Sequence, residues 1–124
     1  MRSITGRYRR IPEINSRDIW KSSHAERQSL NSPIQGSAFD IMMISQLNIE
    51  RSGICEEYDG HMILSVHDEI LFEFPIERSY TGKTLINDVV RPKLMEMMAH
   101  PFAMDLKVPL PVSGEVGVSW GACK

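Results

Sequence analysis

Asp68 and Glu69 stand side by side between two apolar stretches, with His67 directly before them. Carboxylate oxygens at the tip of a turn suit Mg²⁺, which takes one or two protein carboxylates and fills its remaining positions with phosphate oxygens and water. Neighbouring strand residues point to opposite faces, so Asp68, at the tip, is the better ligand of the pair. The plainer alternative needs no function: Asp is common at turns, and Glu on the wet face of a strand. A second group recurs every four residues: Arg27, Asn31 and Gln35. Arginine binds phosphate, and Asn and Gln amides bond to base edges and sugars. A solvated polar stripe ending in a capping glutamine accounts for the same residues.

Other chemistries find little purchase. His24, His61 and His100 lack metal-ligand spacing and read as structural or surface residues. Cys55 and Cys123 lie far apart and form no CxxC, so neither a disulfide scaffold nor a structural zinc site is expected, and a reducing compartment such as the cytoplasm fits. There is no P-loop, GxGxxG or GxSxG pattern.

The elements that must position these residues fit one domain of 124 residues, 42% hydrophobic and 24% charged. No apolar run approaches a membrane span, and the basic start has no apolar stretch behind it, so neither a membrane partner nor a signal peptide is expected. The formal charge of −2 hides an asymmetry. Residues 1–27 carry seven basic and three acidic residues, a net +4, and the rest of the chain nets −6. A basic arm on an acidic body is a possible footprint for a polyanion, although so small a cluster also suits a solvated surface.

Residues 1–22 read as extended, with a short strand over Thr5–Arg10. Ser23-His24-Ala25-Glu26 has capping-box spacing and predicts a helix that ends near Asn31, before Pro33. Ser32-Pro33-Ile34-Gln35 predicts a second helix, running to about Arg51 with Gly53 as its stop. Ile34, Ala38, Ile41, Met42 and Ile49 form its apolar face, and the small Gly36 and Ala38 point to close approach of another backbone. His61–Val66 and Glu69–Phe74 read as a β-hairpin with a His67-Asp68 tip. Met62, Leu64 and Val66 alternate on one face, and so do Ile70, Phe72 and Phe74. Tight two-residue tips favour Gly or Asn, so His-Asp is a costly choice or marks a wider loop. Thr84–Ala99 reads as a third helix bent at Pro92, and Leu106–Trp120 as an edge or interrupted strand. The fold class is α+β: helices packed on a small antiparallel sheet with a central β-hairpin.

In order along the chain, three segments resemble the C-terminal palm of family A DNA polymerases. The first is Thr5-Gly6-Arg7-Tyr8-Arg9-Arg10-Ile11-Pro12-Glu13-Ile14-Asn15-Ser16. The second is Ala25-Glu26-Arg27 with Asn31-Ser32-Pro33-Ile34-Gln35-Gly36-Ser37-Ala38 and Asp40-Ile41. The third, Ser65-Val66-His67-Asp68-Glu69-Ile70, resembles the family's motif C. Leu106-Lys107-Val108-Pro109-Leu110, Gly117 and Trp120 also fit. The resemblance implies that residues 1–124 are one palm segment, a single domain incomplete without a partner.

The same resemblance implies roles. Asp68 and Glu69 would be catalytic: Asp68 one of two aspartates that hold two Mg²⁺ ions, Glu69 the neighbour that tunes them. His67 would contact the primer end, and Gln35 the minor groove at the primer–template terminus. Arg27 and Asn31 would lie on nearby nucleic acid, and Arg7, Arg9 and Arg10 along the duplex backbone. Minor-groove acceptors are shared by all base pairs, which suits an enzyme that grips any sequence. Two-metal transfer needs ions about 4 Å apart, and the family's second aspartate and its dNTP-binding fingers helix belong to upstream motifs that these residues do not match. The chain alone is therefore not expected to polymerise. It reads as the small piece of a split polymerase, with a phage genome as a natural setting and the host cytoplasm as its place of work, completed by a large chain that carries the other motifs. Met1 falls just before the basic strand, where a gene break would leave a foldable piece. A non-catalytic nucleic-acid-binding or regulatory palm remnant is the alternative, and an independent metal-dependent hydrolase a third class. An incomplete core should leave apolar surface for the partner or, without it, for self-association.

Overall fold

A computed structural model of the chain describes residues 1–75 and 85–123. The chain divides into two compact units, Met1–Met43 and Ile44–Lys124.

In the first unit the N-terminus folds into a narrow loop closed by an isolated bridge between Arg2 and Tyr8, in place of the strand expected over Thr5–Arg10. Gly6, at φ +87°, makes the turn, and its N–H donates to the Ser3 carbonyl at 2.9 Å. The Arg9 N–H donates to the Met1 carbonyl, and the Met1 amine to the Arg9 carbonyl. A 3-10 turn follows at Pro12–Asn15.

Helix α1 then spans Ile19–Ser52 without a break. This corrects two expectations. The helix starts at Ile19, not Ser23, because Asp18 caps it: its Oδ1 accepts the Trp20 N–H at 3.0 Å. It also continues through Pro33, so the two predicted helices are one. Proline removes the N–H that would bond the Ser29 carbonyl, yet the neighbouring hydroxyls turn back onto the helix. Ser32 Oγ donates to the Gln28 carbonyl at 2.6 Å, and Ser37 Oγ to the Pro33 carbonyl. The predicted apolar face is only partly buried: Ile49 is fully enclosed, whereas Ile34 is 71% exposed. Gly53, at φ +70°, stops the helix as expected.

The second unit adds a short helix α2 (Ile54–Glu57), strands β1 (His61–Val66) and β2 (Glu69–Glu73), and helix α3 (Arg91–Ala99). Its core is Ile49, Ile54, Val90 and Leu94, with Met62, Ile70, Phe72 and Phe74 packed against it. The strands pair antiparallel, but with a bulge at Ile63: Met62 faces Phe72, Leu64 faces Leu71, and Val66 faces Glu69. The extra residue breaks the alternation expected of β1. Met62 shares the core face with Ile70 and Phe72, while Leu64 and Val66 move to the opposite face with Leu71.

In place of one regular helix, a π-turn over Ile86–Val90 precedes Pro92 and leads into α3. Thr84, the expected start of that helix, lies outside the described residues. Leu106–Trp120 forms no strand, correcting that expectation. Pro109 and Pro111 lack the N–H a ladder needs, and the segment is anchored instead through Gly114, whose carbonyl accepts from Arg91 Nη1 at 3.3 Å. Cys55 and Cys123 are both free thiols. Burial beside Glu50 raises the Cys55 pKa, which suits an inert packing residue.

Candidate functional site

The first candidate site lies wholly within the first unit. Arg27, Asn31 and Gln35 are four residues apart on one uninterrupted helix, so all three share a face of α1. They line a cleft of about 400 Å³ together with Arg9 from the N-terminal segment. His24, Gln28 and Ser32 complete its wall. Among the described residues no carboxylate lines it, and its two guanidinium groups make it a cationic pocket edged with amides. His24 Nε2 accepts from the Gln28 amide nitrogen at 2.9 Å, one helical turn along. Had α1 broken at Pro33, Gln35 would have opened a separate helix. Continuity is what brings it into line.

Arg7 stands apart from the cleft lining. Its Nε pairs with Asp40 Oδ1 at 2.9 Å, its Nη2 donates to the Gly36 carbonyl at 3.2 Å, and its guanidinium sits 5.1 Å from the Phe39 ring centre. Thr5 Oγ1 donates to the other Asp40 oxygen at 2.6 Å. The Ile4 N–H donates to Ser37 Oγ at 2.8 Å. The close approach expected at Gly36 is thus made by the N-terminal segment. Hydrogen bonds from Ser3 and Thr5, with the Arg7 charge, outweigh the opposing effect of burial and hold the Asp40 carboxyl below its ordinary pKa. The sequence placed Asp40 in a matching segment but gave it no role. A carboxylate within an otherwise apolar helical stretch, four residues after Gly36, was the available signal. Arg10 is exposed and lies outside the cleft lining.

The second candidate site is the hairpin tip of the second unit. His67 and Asp68 form a two-residue turn between β1 and β2, and Glu69 opens β2. All three side chains are exposed. His67 adopts φ +53°, a left-handed conformation that costs an L-residue about 1–2 kcal/mol. A strained non-glycine residue next to two carboxylates, four residues beyond a bulge, is the pattern found where a chain aims side chains at a ligand. Among the described residues, no three His, Cys, Asp or Glu side chains gather to hold a metal. Asp68 and Glu69 supply oxygen donors of the kind Mg²⁺ prefers, but not a complete set.

The family model for family A DNA polymerases matches residues 1–122. This chain belongs to DNA polymerase family A. DNA polymerase I of Lactococcus lactis is 34% identical over 98% of the chain, and DNA polymerase I of Mycobacterium leprae 38% identical over 97%. The chloroplastic DNA polymerase I A of Oryza sativa is 35% identical over 98%. The chain spans only 13%, 12% and 11% of these three relatives, respectively. The POL domain of Pol1 from M. smegmatis, solved with DNA primer-template and dNTP, superposes with a TM-score of 0.78. It is 33% identical, over 99% of this chain and 20% of that one. The α+β architecture, a long helix with a two-stranded antiparallel hairpin, is that of a family A polymerase segment. Mg²⁺ is the metal of this family. No helix of the described residues is long and apolar enough to cross a membrane.

Proposed function

We propose that residues 1–124 are a C-terminal palm segment of a DNA-directed DNA polymerase and that Ser65–Ile70 is its motif C. In this reading Asp68 supplies one of two aspartate ligands to the catalytic Mg²⁺ ions, Glu69 tunes them, and His67 meets the primer end. Bound there, the ions would stabilise charge on the attacking and leaving oxygens. Arg27, Asn31 and Gln35, with Arg9, grip primer–template DNA, and Arg10 lies along its backbone. The observation that carries the reading is the exposed Asp68-Glu69 tip in a chain that matches the family from end to end.

A second chain, or the rest of a longer one, supplies the remaining ligands, the dNTP site and the cover for this segment. Two observations support that need. The tip lacks a third ligand among the described residues. Large apolar side chains also stand in solvent, Trp20 at 85% and Ile19 at 82% exposure. Without that partner, self-association would take its place. Cytoplasmic work, in the host cell if a phage encodes the chain, accords with the two free thiols.

The test recovers tagged chain from a lysate of its natural source and assays Mg²⁺-dependent primer extension, wild type beside Asp68→Asn. Extension by wild type alone supports the reading. Extension by both removes Asp68 from the metal site. Extension by neither rejects the catalytic role. It leaves the alternative, a non-catalytic nucleic-acid-binding or regulatory remnant, which the cleft favours because residues 1–43 complete it by themselves.

A further inference from the structure

We propose that Arg7 is a positioning residue rather than a phosphate ligand: pinned by Asp40, it holds Arg9 at the cleft. The inference rests on the nucleic-acid reading of that cleft. Arg7 and Arg9 flank Tyr8, which is tied to Arg2 in the bridge that closes the N-terminal loop. Alternate residues of an extended segment share a side. On that side Arg7 meets Asp40 and Gly36, and Arg9 lines the cleft with Arg27, Asn31 and Gln35. Asp40 is buried, so a phosphate that drew Arg7 away would strand a carboxylate with no cation, which is strongly unfavourable. Thr5 and Ile4 fasten the same loop to α1 through Asp40 and Ser37. Among the described residues, Arg9 has no such anchor of its own beyond its backbone bonds to Met1. Its place at the cleft depends on the pin one residue removed.

The experiment titrates a duplex DNA of about two helical turns against the full chain by fluorescence anisotropy, across a range of KCl concentrations. The proteins are wild type, Arg7→Met, Arg9→Ala and the double variant. Each phosphate neutralised on B-DNA adds about 0.9 to the slope of log affinity against log salt. The expected result is a slope shallower by about 0.9 in Arg9→Ala, a loss of the same size in Arg7→Met, and no further loss in the double variant. Additive loss in the double variant, about 1.8, makes Arg7 a ligand in its own right and overturns the proposal. An unchanged slope in Arg9→Ala overturns the nucleic-acid reading of the cleft, and the proposal with it. Thr5→Val keeps every charge and removes the 2.6 Å bond to Asp40 together with the 3.1 Å hydroxyl contact to Ser3 within the same loop. It is the check should Arg7→Met fail to fold. A shallower slope supports the pin, and a wild-type slope refutes it.

Discussion

Replacing Pro33 with alanine should stabilise the protein. Helix α1 runs through Pro33 with fourteen helical residues before it and nineteen after. In a helix interior proline costs about 3 kcal/mol relative to alanine, from the missing N–H and the ring's clash with the carbonyl four residues back. Alanine would restore a donor to the Ser29 carbonyl. Against this, proline stiffens the unfolded chain, and its removal gives back about 0.4–1 kcal/mol. The net expectation is a gain of about 2 kcal/mol, read as a higher urea midpoint at unchanged m-value by circular dichroism. If Pro33 instead opened a second helix, its missing N–H would cost nothing at the first position, and alanine would be neutral or slightly destabilising. The sign therefore decides. A midpoint that stays or falls would refute the continuous helix and, with it, the common face of Arg27, Asn31 and Gln35. DNA affinity should stay within about twofold of wild type, because none of those side chains moves.

Three further outcomes follow from the same geometry. Ile49→Ala, at the fully buried centre of the second unit, should cost about 2–5 kcal/mol and Ile49→Val about 1, both measured by urea unfolding. His67→Gly should relieve the left-handed strain at the tip, raising stability by up to about 1 kcal/mol while lowering primer extension by the assembled enzyme; a less stable variant would refute the strain argument. Asp40 has a lowered pKa when folded, so the unfolded chain binds its proton more readily. Its contribution is full above the unfolded value of about 3.9 and is lost as pH falls through the folded value. Urea midpoints between pH 6 and 2.5 should fall more steeply in wild type than in Asp40→Asn.

The hairpin, its two-residue tip and the stop at Gly53 were legible because each depends on local chemistry: β-prone runs, a turn dipeptide and a left-handed glycine. The number of helices was not. Ser23-His24-Ala25-Glu26 and Ser32-Pro33-Ile34-Gln35 both carry start signals, but a cap matters only where backbone N–H groups lack partners. Asp18 had already begun the helix, so Ser23 and Ser32 sit inside it. The hydroxyl of Ser32, read as a cap acceptor, donates instead to the carbonyl one turn back. Arg27, Asn31 and Gln35 were named from their spacing, but Arg9 joins them through the tertiary placement of a loop. Asp40 was named only within a matching segment, and its role escaped notice because its partners, Thr5 and Arg7, are more than thirty residues away in sequence. The bulge at Ile63 was also invisible, since a run of Met, Ile, Leu and Val satisfies the strand pattern in either register.

On the proposed reading, that bulge explains why the carboxylate tip would depend on elements beyond these residues. Strict alternation would have laid Met62, Leu64 and Val66 together on this chain's core and sealed the hairpin along its length. With Ile63 inserted, only Met62 on β1 packs there, with Ile70, Phe72 and Phe74 from the other strand and its end. Leu64 and Val66 join Leu71 on the far face, where Leu64 is exposed. Beyond the bulge, the core-side residue opposite Ile70 is Ser65. In the outer half of the hairpin Leu64, Val66 and Leu71 thus turn away from the core the described residues build and Ile70 alone faces it, just where the proposed site would need His67, Asp68 and Glu69 held. A two-stranded ribbon is marginal in water unless its apolar face is covered. Metal ligands are effective only when their supporting shell holds them still. The proposed remainder of the palm would meet both needs at one place, covering Leu64, Val66 and Leu71 as it brings the missing ligand to Asp68.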